Sequence, residues 1–197
     1  MKKFFAALLV ALFGAMSLFA DDAADVKAVI VRDFELTIKG DFAGKFAAYA
    51  PDYLETDSDG MTINYEQAKW VVLMLDGKHP KESLLVMATV ELKGAEIPPE
   101  MMARIDEVVR NPEFVKQYEE AIPVVVAMLK EEAAFELKSL NFISVDVNGN
   151  EAVVVDEYDR KDPKSGEIKH KVCTVFLRKV DGKWMIYRSI TLKNINK

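Results

Sequence analysis

Two stretches of this sequence set polar, titratable side chains into an apolar alternation, where they could do chemistry. In "VNGNEAVVVDEYD" Asp156 and Tyr158 follow a run of valines, and in "VDGKWMIYRSITL" Trp184, Ile186 and Arg188 alternate after a glycine turn. Alternate residues of a strand point to one side of its sheet. Asp156 and Tyr158 therefore share a face, as do Trp184, Ile186 and Arg188. A carboxylate beside a phenol supplies the groups that proton transfer or polar ligand binding needs. The same pattern is also compatible with plain sheet, and a one-residue shift in register would exchange Asp156 and Tyr158 for Val155 and Glu157.

Other reactive residues carry weaker patterns. Cys173 is the single cysteine, set in "KVCTVF", so an intramolecular disulfide is impossible and the thiol reads as a small buried hydrophobe. His79 and His170 stand among lysines and read as solvated. The run "DSDG", Asp57 to Gly60, resembles a fragment of a calcium loop but lacks the later glutamate, so it reads as a turn and no metal is expected. There is no Gly-rich phosphate loop, nucleophile elbow or HExxH pair, and no cofactor is expected.

The chain has 197 residues, half of them hydrophobic, and a net charge of -6. That balance argues against a nucleic-acid partner, which needs a basic face to displace counterions. At the start, "MKKFFAALLVALFGAMSLFA" sets Lys2 and Lys3 before an apolar run and ends ahead of Asp21 and Asp22. This is the layout of an export signal, with cleavage expected after Ala20. The run is shorter than the ~20 apolar residues of a membrane span. The sequence thus predicts a periplasmic or secreted protein of the bacterial envelope, with no membrane anchor once residues 1–20 are removed.

The elements that must position these residues follow from periodicity. Val26, Val29, Ile30, Phe34 and Ile38 recur at helical spacing from Asp22 to Lys39. Asp41 can cap a short helix through Tyr49, ended by Ala50-Pro51, and "PDYLETDSDGMTIN" reads as two extended pieces around Asp59-Gly60. Asn64 caps the next helix with Gln67 at the capping-box position. Lys81 to Lys93 reads as helix. Pro99 to Ala134 reads as helices separated by Asn111-Pro112 and by Pro123. The period then changes to alternation, giving strands over 137–147, 151–159, 167–180 and 183–192 whose short turns force antiparallel neighbours. Helices followed by a meander predict an α+β fold.

This order resembles the nuclear-transport-factor-2-like superfamily, including its SnoaL-like branch. "KGDFAGKFAAYAPDYLETDSDG", "VNGNEAVVVDEYD" and "VDGKWMIYRSITL" carry the likeness. The resemblance implies a cone-shaped, curved antiparallel sheet wrapped around N-terminal helices, one domain over 21–197, and a helical insertion at about 80–135. It further implies a cavity lined by Tyr49, Tyr53, Asp156, Tyr158, Trp184, Ile186 and Arg188. Trp184 would form its apolar floor, and Arg188 would either pair with Asp156 or anchor an anionic ligand.

Members of that superfamily act as enzymes, binding proteins or scaffolds, so fold does not fix function. The leading expectation is an exported, non-catalytic module holding a small, partly apolar ligand or a protein partner. An isomerase or dehydratase would instead use Asp156 as base with Tyr158, Tyr53 or Tyr49 as hydroxyl donor. A third reading is a carrier of lipid-like molecules. The apolar surplus of "IPVVVAMLKEEAAFELK" is then buried on the sheet, a lid, or the face of a homodimer.

Overall fold

The computed structural model describes residues 22–162 and 165–192. The expected export signal lies outside the described residues. Helix α1 covers 22–39 and α2 is Phe42–Phe46, with the side chain of Asp41 accepting from the Gly44 N–H at its start. Strand β1, Tyr49–Thr56, and β2, Thr62–Asn64, make a hairpin over the 57–61 turn. Four more helices follow: α3, Tyr65–Leu75; α4, Pro80–Glu91; α5, Pro99–Val108; and α6, Pro112–Ser139. The chain ends in the meander β3, Asn141–Asn148; β4, Glu151–Lys161; β5, Ile168–Val180; and β6, Lys183–Leu192.

All six strands form one curved, open sheet in the order β2-β1-β6-β5-β4-β3. The meander is antiparallel, as short turns require, but β1 lies parallel to β6, so the sheet is mixed rather than wholly antiparallel. Inward residues of β4 and β5, among them Val154, Val175 and Leu177, pack against Val26 and Ile30 of α1. Each such side chain contributes about 1.5–3 kcal/mol by burial, and together they fix α1 across the concave face.

A second cluster, Leu85, Ala88 and Ile105 with Trp70 and Met101, holds α3, α4 and α5 together. The capping box of α3 is present: Gln67 N–H donates to Asn64 and the Asn64 N–H to Gln67 Oε1, at 3.0 and 2.9 Å. Gln67 also donates through Nε2 to the carbonyl of Gly94. Gly94 has φ +83°, and a Cβ there would stand 1.9 Å from the carbonyl oxygen of Thr62. Only glycine lets the end of α4 close onto β2 in this way.

Three expected boundaries move. α2 stops at Phe46, and Tyr49 already pairs as strand with Ile186. The last helix runs on to Ser139, so the first meander strand begins at Asn141 rather than Leu137, because Ala133 and Glu136 are buried as a continuing helical face. Pro123 lies inside α6 instead of dividing it. A proline in a helix releases the carbonyl four residues back; here Glu119 and Pro123 both lie on the exposed face of α6.

Candidate functional site

A cavity of about 440 Å³ opens between the concave face of the sheet, α1 and the C-terminal half of α6. Its walls follow the strand alternation. Asp156, Tyr158 and Arg160 come from β4, Lys171, Cys173 and Val175 from β5, and Ile186, Ser189 and Thr191 from β6. Tyr49, Tyr53 and Glu55 of β1, Asp33 of α1, and Glu132 and Glu136 of α6 complete the lining.

Of the seven residues expected at the cavity, Tyr49, Tyr53, Asp156, Tyr158 and Ile186 line it. Trp184 and Arg188 do not. Trp184 is buried in the core and borders a separate groove beside α1 and the 181–182 turn, with its Nε1 buried and without a hydrogen-bond partner. Arg188 is exposed, and the expected pairing with Asp156 is not made. The reason is a β-bulge. Leu177 pairs with Ile186 but Phe176 pairs with Arg188, so Tyr187 is an extra residue on β6. One extra residue inverts the alternation beyond it. Ser189 and Thr191 therefore enter the cavity where strict alternation from Ile186 would bring in Arg188 and Ile190.

A second irregularity builds the aromatic wall. Between Tyr49 and Leu54 the register of β1 against β6 shifts. Tyr49 and Tyr53, four residues apart in sequence, are thereby stacked with ring centres 4.2 Å apart and planes 9° from parallel. Their hydroxyls are committed: Tyr49 donates to Asp33 at 3.2 Å and Tyr53 to Glu55 at 3.0 Å. Burial, followed by the adjacent carboxylates, pushes both phenols well above the ordinary tyrosine range. Across the cavity the Tyr158 hydroxyl lies 3.4 Å from Cys173 Sγ, which is 3.3 Å from the Thr191 hydroxyl. Burial raises the Cys173 thiol, so it is no ready nucleophile.

The charged groups divide sharply. Lys45 binds Asp33 at 2.8 Å, and Arg160 pairs with Glu132 at 3.1 Å and with buried Glu136. Desolvation pushes Glu136 and Glu55 upward, opposed by Arg160 at the first and by the Tyr53 hydroxyl at the second. Lys171, also buried, reaches the Ser58 hydroxyl at 3.2 Å. Asp156 is different. It is 2% exposed, makes no hydrogen bond or ion pair with any described residue, and is raised by burial alone to about 7. Such a carboxyl titrates in the physiological range, where it can accept or donate a proton or bind a cation.

Sequence reading missed Glu55, Asp33, Glu136 and Arg160 as members of this site. Glu55 had a usable signal, since it alternates with Tyr53. Arg160 had the same signal, since it continues the alternation of Asp156 and Tyr158, whereas Asp33 and Glu136 reach the cavity only through the packing of α1 and α6. No group of histidine, cysteine or carboxylate side chains among the described residues is arranged to hold a metal ion.

No family model and no curated protein sequence matches the chain. Solved structures do match its shape. An NTF2-like protein with a cystatin-like fold from Novosphingobium aromaticivorans superposes with a TM-score of 0.52 at 12% identity, over 94% of this chain and 90% of that one. An NTF-2 like protein of unknown function from Silicibacter pomeroyi gives 0.46 at 14% identity, covering 88% and 96% of the two chains. A ketosteroid isomerase-like protein from Erwinia carotovora atroseptica gives 0.44 at 10% identity, covering 89% and 98%. The first of these carries the assignment: the chain has the α+β fold of the nuclear-transport-factor-2-like proteins. At this identity the likeness extends to the fold and not to the chemistry of the site.

Proposed function

We propose that this protein is a non-catalytic module, one domain over 21–197, that binds a small molecule in the cavity between α1, α6 and the sheet. One observation carries the reading. The Asp156 side chain is 2% exposed, has no partner among the described residues, and faces a cavity of about 440 Å³. A buried carboxyl is costly to keep unless something satisfies it, and the space in front of it lies within the usual size of ligand pockets. Export through residues 1–20 belongs to the same proposal, with the ligand met in the periplasm or the medium. A lipid-like cargo fits the lining poorly, because seven carboxylates and three cationic side chains surround the space. A protein partner or a homodimer would use the outer surface and leaves Asp156 unexplained.

A second reading has one observation in its favour: desolvation holds Asp156 at about 7, where a general base works well. Proton abstraction from carbon also needs donors aimed at the developing oxyanion. Tyr49 and Tyr53 already donate to carboxylates, and the Tyr158 hydroxyl is held at Cys173. A site with an excess of acidic groups opposes an oxyanion, so binding is the better-supported function.

The test is native mass spectrometry of the protein isolated from its own compartment, together with ligand-detected NMR against a library of small polar molecules. Ala133 lines the cavity and is 4% exposed. Bound small molecules are expected in the wild type and absent from a folded Ala133→Phe variant, whose ring occupies the space. A wild-type protein that carries nothing and binds no library member would refute the proposal. Turnover of a bound molecule that stops in Asp156→Asn would establish the catalytic reading instead.

A further inference from the structure

The proposal that the cavity binds a small molecule leaves open which chemical class it accepts, and the charge pattern narrows this. Seven carboxylates line the space against three cations: Lys45, Arg160 and Lys171. Lys45 and Arg160 are already held by Asp33, Glu132 and Glu136, while Lys171, 8% exposed, reaches only the Ser58 hydroxyl. Among the described residues the interior thus offers an approaching ligand one cation without a carboxylate partner, Lys171, against seven carboxylates. It also offers an unclaimed carboxyl, since Asp156 is 2% exposed and its side chain has no partner among the described residues. It also offers aromatic faces, with Tyr49 stacked on Tyr53 and Tyr158 in edge contact with Phe34.

From this juxtaposition we infer that the cavity selects a small organic cation, an amine whose ammonium group pairs with the Asp156 carboxylate while its apolar body lies against the tyrosine and phenylalanine rings. Three physical terms act in the same direction. An ammonium supplies the hydrogen bonds that the buried carboxylate lacks, and a charge-assisted bond is about twice as strong as a neutral one. Aromatic faces attract cations through the ring quadrupole. The remaining acidic lining repels anions and raises the local concentration of cations. A carboxylate ligand would have the Lys171 ammonium alone to receive it, against seven carboxylates in the lining, and a neutral ligand would leave the excess negative charge uncompensated.

This inference rests on the binding reading, and the two fail differently. The probes are phenethylamine, its neutral counterpart 2-phenylethanol and its anionic counterpart 3-phenylpropanoate, titrated by calorimetry into the full chain at pH 8. The amine is expected to bind roughly ten- to a hundredfold more tightly than the alcohol, the range of one charge-assisted hydrogen bond, and the anion not at all. In Asp156→Asn, checked for folding by circular dichroism, the amine should lose its advantage over the alcohol. Should that variant not fold, the order of the three probes on the wild type decides. Equal binding of amine and alcohol, or tighter binding of the anion, would overturn the cation assignment and leave a small-molecule site standing. A preference for the amine that survives in Asp156→Asn would overturn the role of that carboxylate. If none of the three binds at millimolar concentration, the cation assignment falls, and the library screen then decides whether the binding reading falls with it.

Discussion

Replacing Asp156 by asparagine should make this protein more stable as the pH rises, relative to the wild type. The unfolded chain ionises Asp156 near 3.8, whereas burial holds it at about 7 in the folded protein. Between those values the folded state keeps a proton that the unfolded state has lost. Wild-type stability from this group is therefore undiminished at about pH 4 and below, and it declines as pH rises until about pH 7. At about 1.4 kcal/mol per pH unit the gap amounts to about 4 kcal/mol. Asparagine keeps the shape and cannot ionise. Its amide hydrogens, left without acceptors, cost about 1–3 kcal/mol at every pH, a term that drops out when two pH values are compared. The quantity to measure is the stability difference between variant and wild type at pH 8 minus the same difference at pH 4. Urea unfolding followed by tryptophan fluorescence should give about 4 kcal/mol. Glu55 and Glu136, also raised by burial, titrate in both proteins and cancel in the subtraction. A difference that varies by less than about 1 kcal/mol across this range would show that Asp156 is solvated or paired in solution, and would remove the basis of both functional readings.

Two further substitutions test how the remaining charges are held. Arg160→Met should destabilise the protein by about 2–3 kcal/mol at neutral pH. It strands Glu136, which is 4% exposed, and the usual penalty for breaking a buried pair is discounted because the arginine itself is 42% exposed. A second change, Glu136→Gln, should restore at least half of the loss in thermal unfolding; a double variant as unstable as the single one would mean that Arg160 acts by packing alone. Arg188→Met, on the other hand, should alter stability by less than about 0.5 kcal/mol and leave probe binding unchanged, as expected for an exposed side chain. A larger effect on binding would mean that β6 enters the cavity in the register of unbroken alternation.

The fate of Arg188 shows what the sequence could and could not disclose. Helix faces, the Asn64 capping box and the inward set of β4 follow from local periodicity and were legible. Asp156 and Tyr158 face the cavity because β4 pairs with β5 without interruption from Glu151 to Lys161. β6 carries an equally regular apolar alternation, yet a single unpaired residue, Tyr187, divides it into two halves of opposite phase. Nothing in "KWMIYRSITL" marks that position, since the bulge contains no glycine and no proline. Its cause is tertiary. With Tyr187 displaced outward, its ring meets Phe176 at 6.1 Å and the Arg178 guanidinium at 4.7 Å. The strand beyond it then turns Ser189 and Thr191 inward. In strict alternation the same strand would bring a guanidinium into the cavity. Through the bulge it brings two small hydroxyls, and Asp156 pairs with no cation among the described residues. The absence of that internal counter-ion separates a site that could be a closed ion pair from one that can receive a cation from outside. A one-residue irregularity in β6, rather than the identity of any residue in it, thus decides what the cavity can bind.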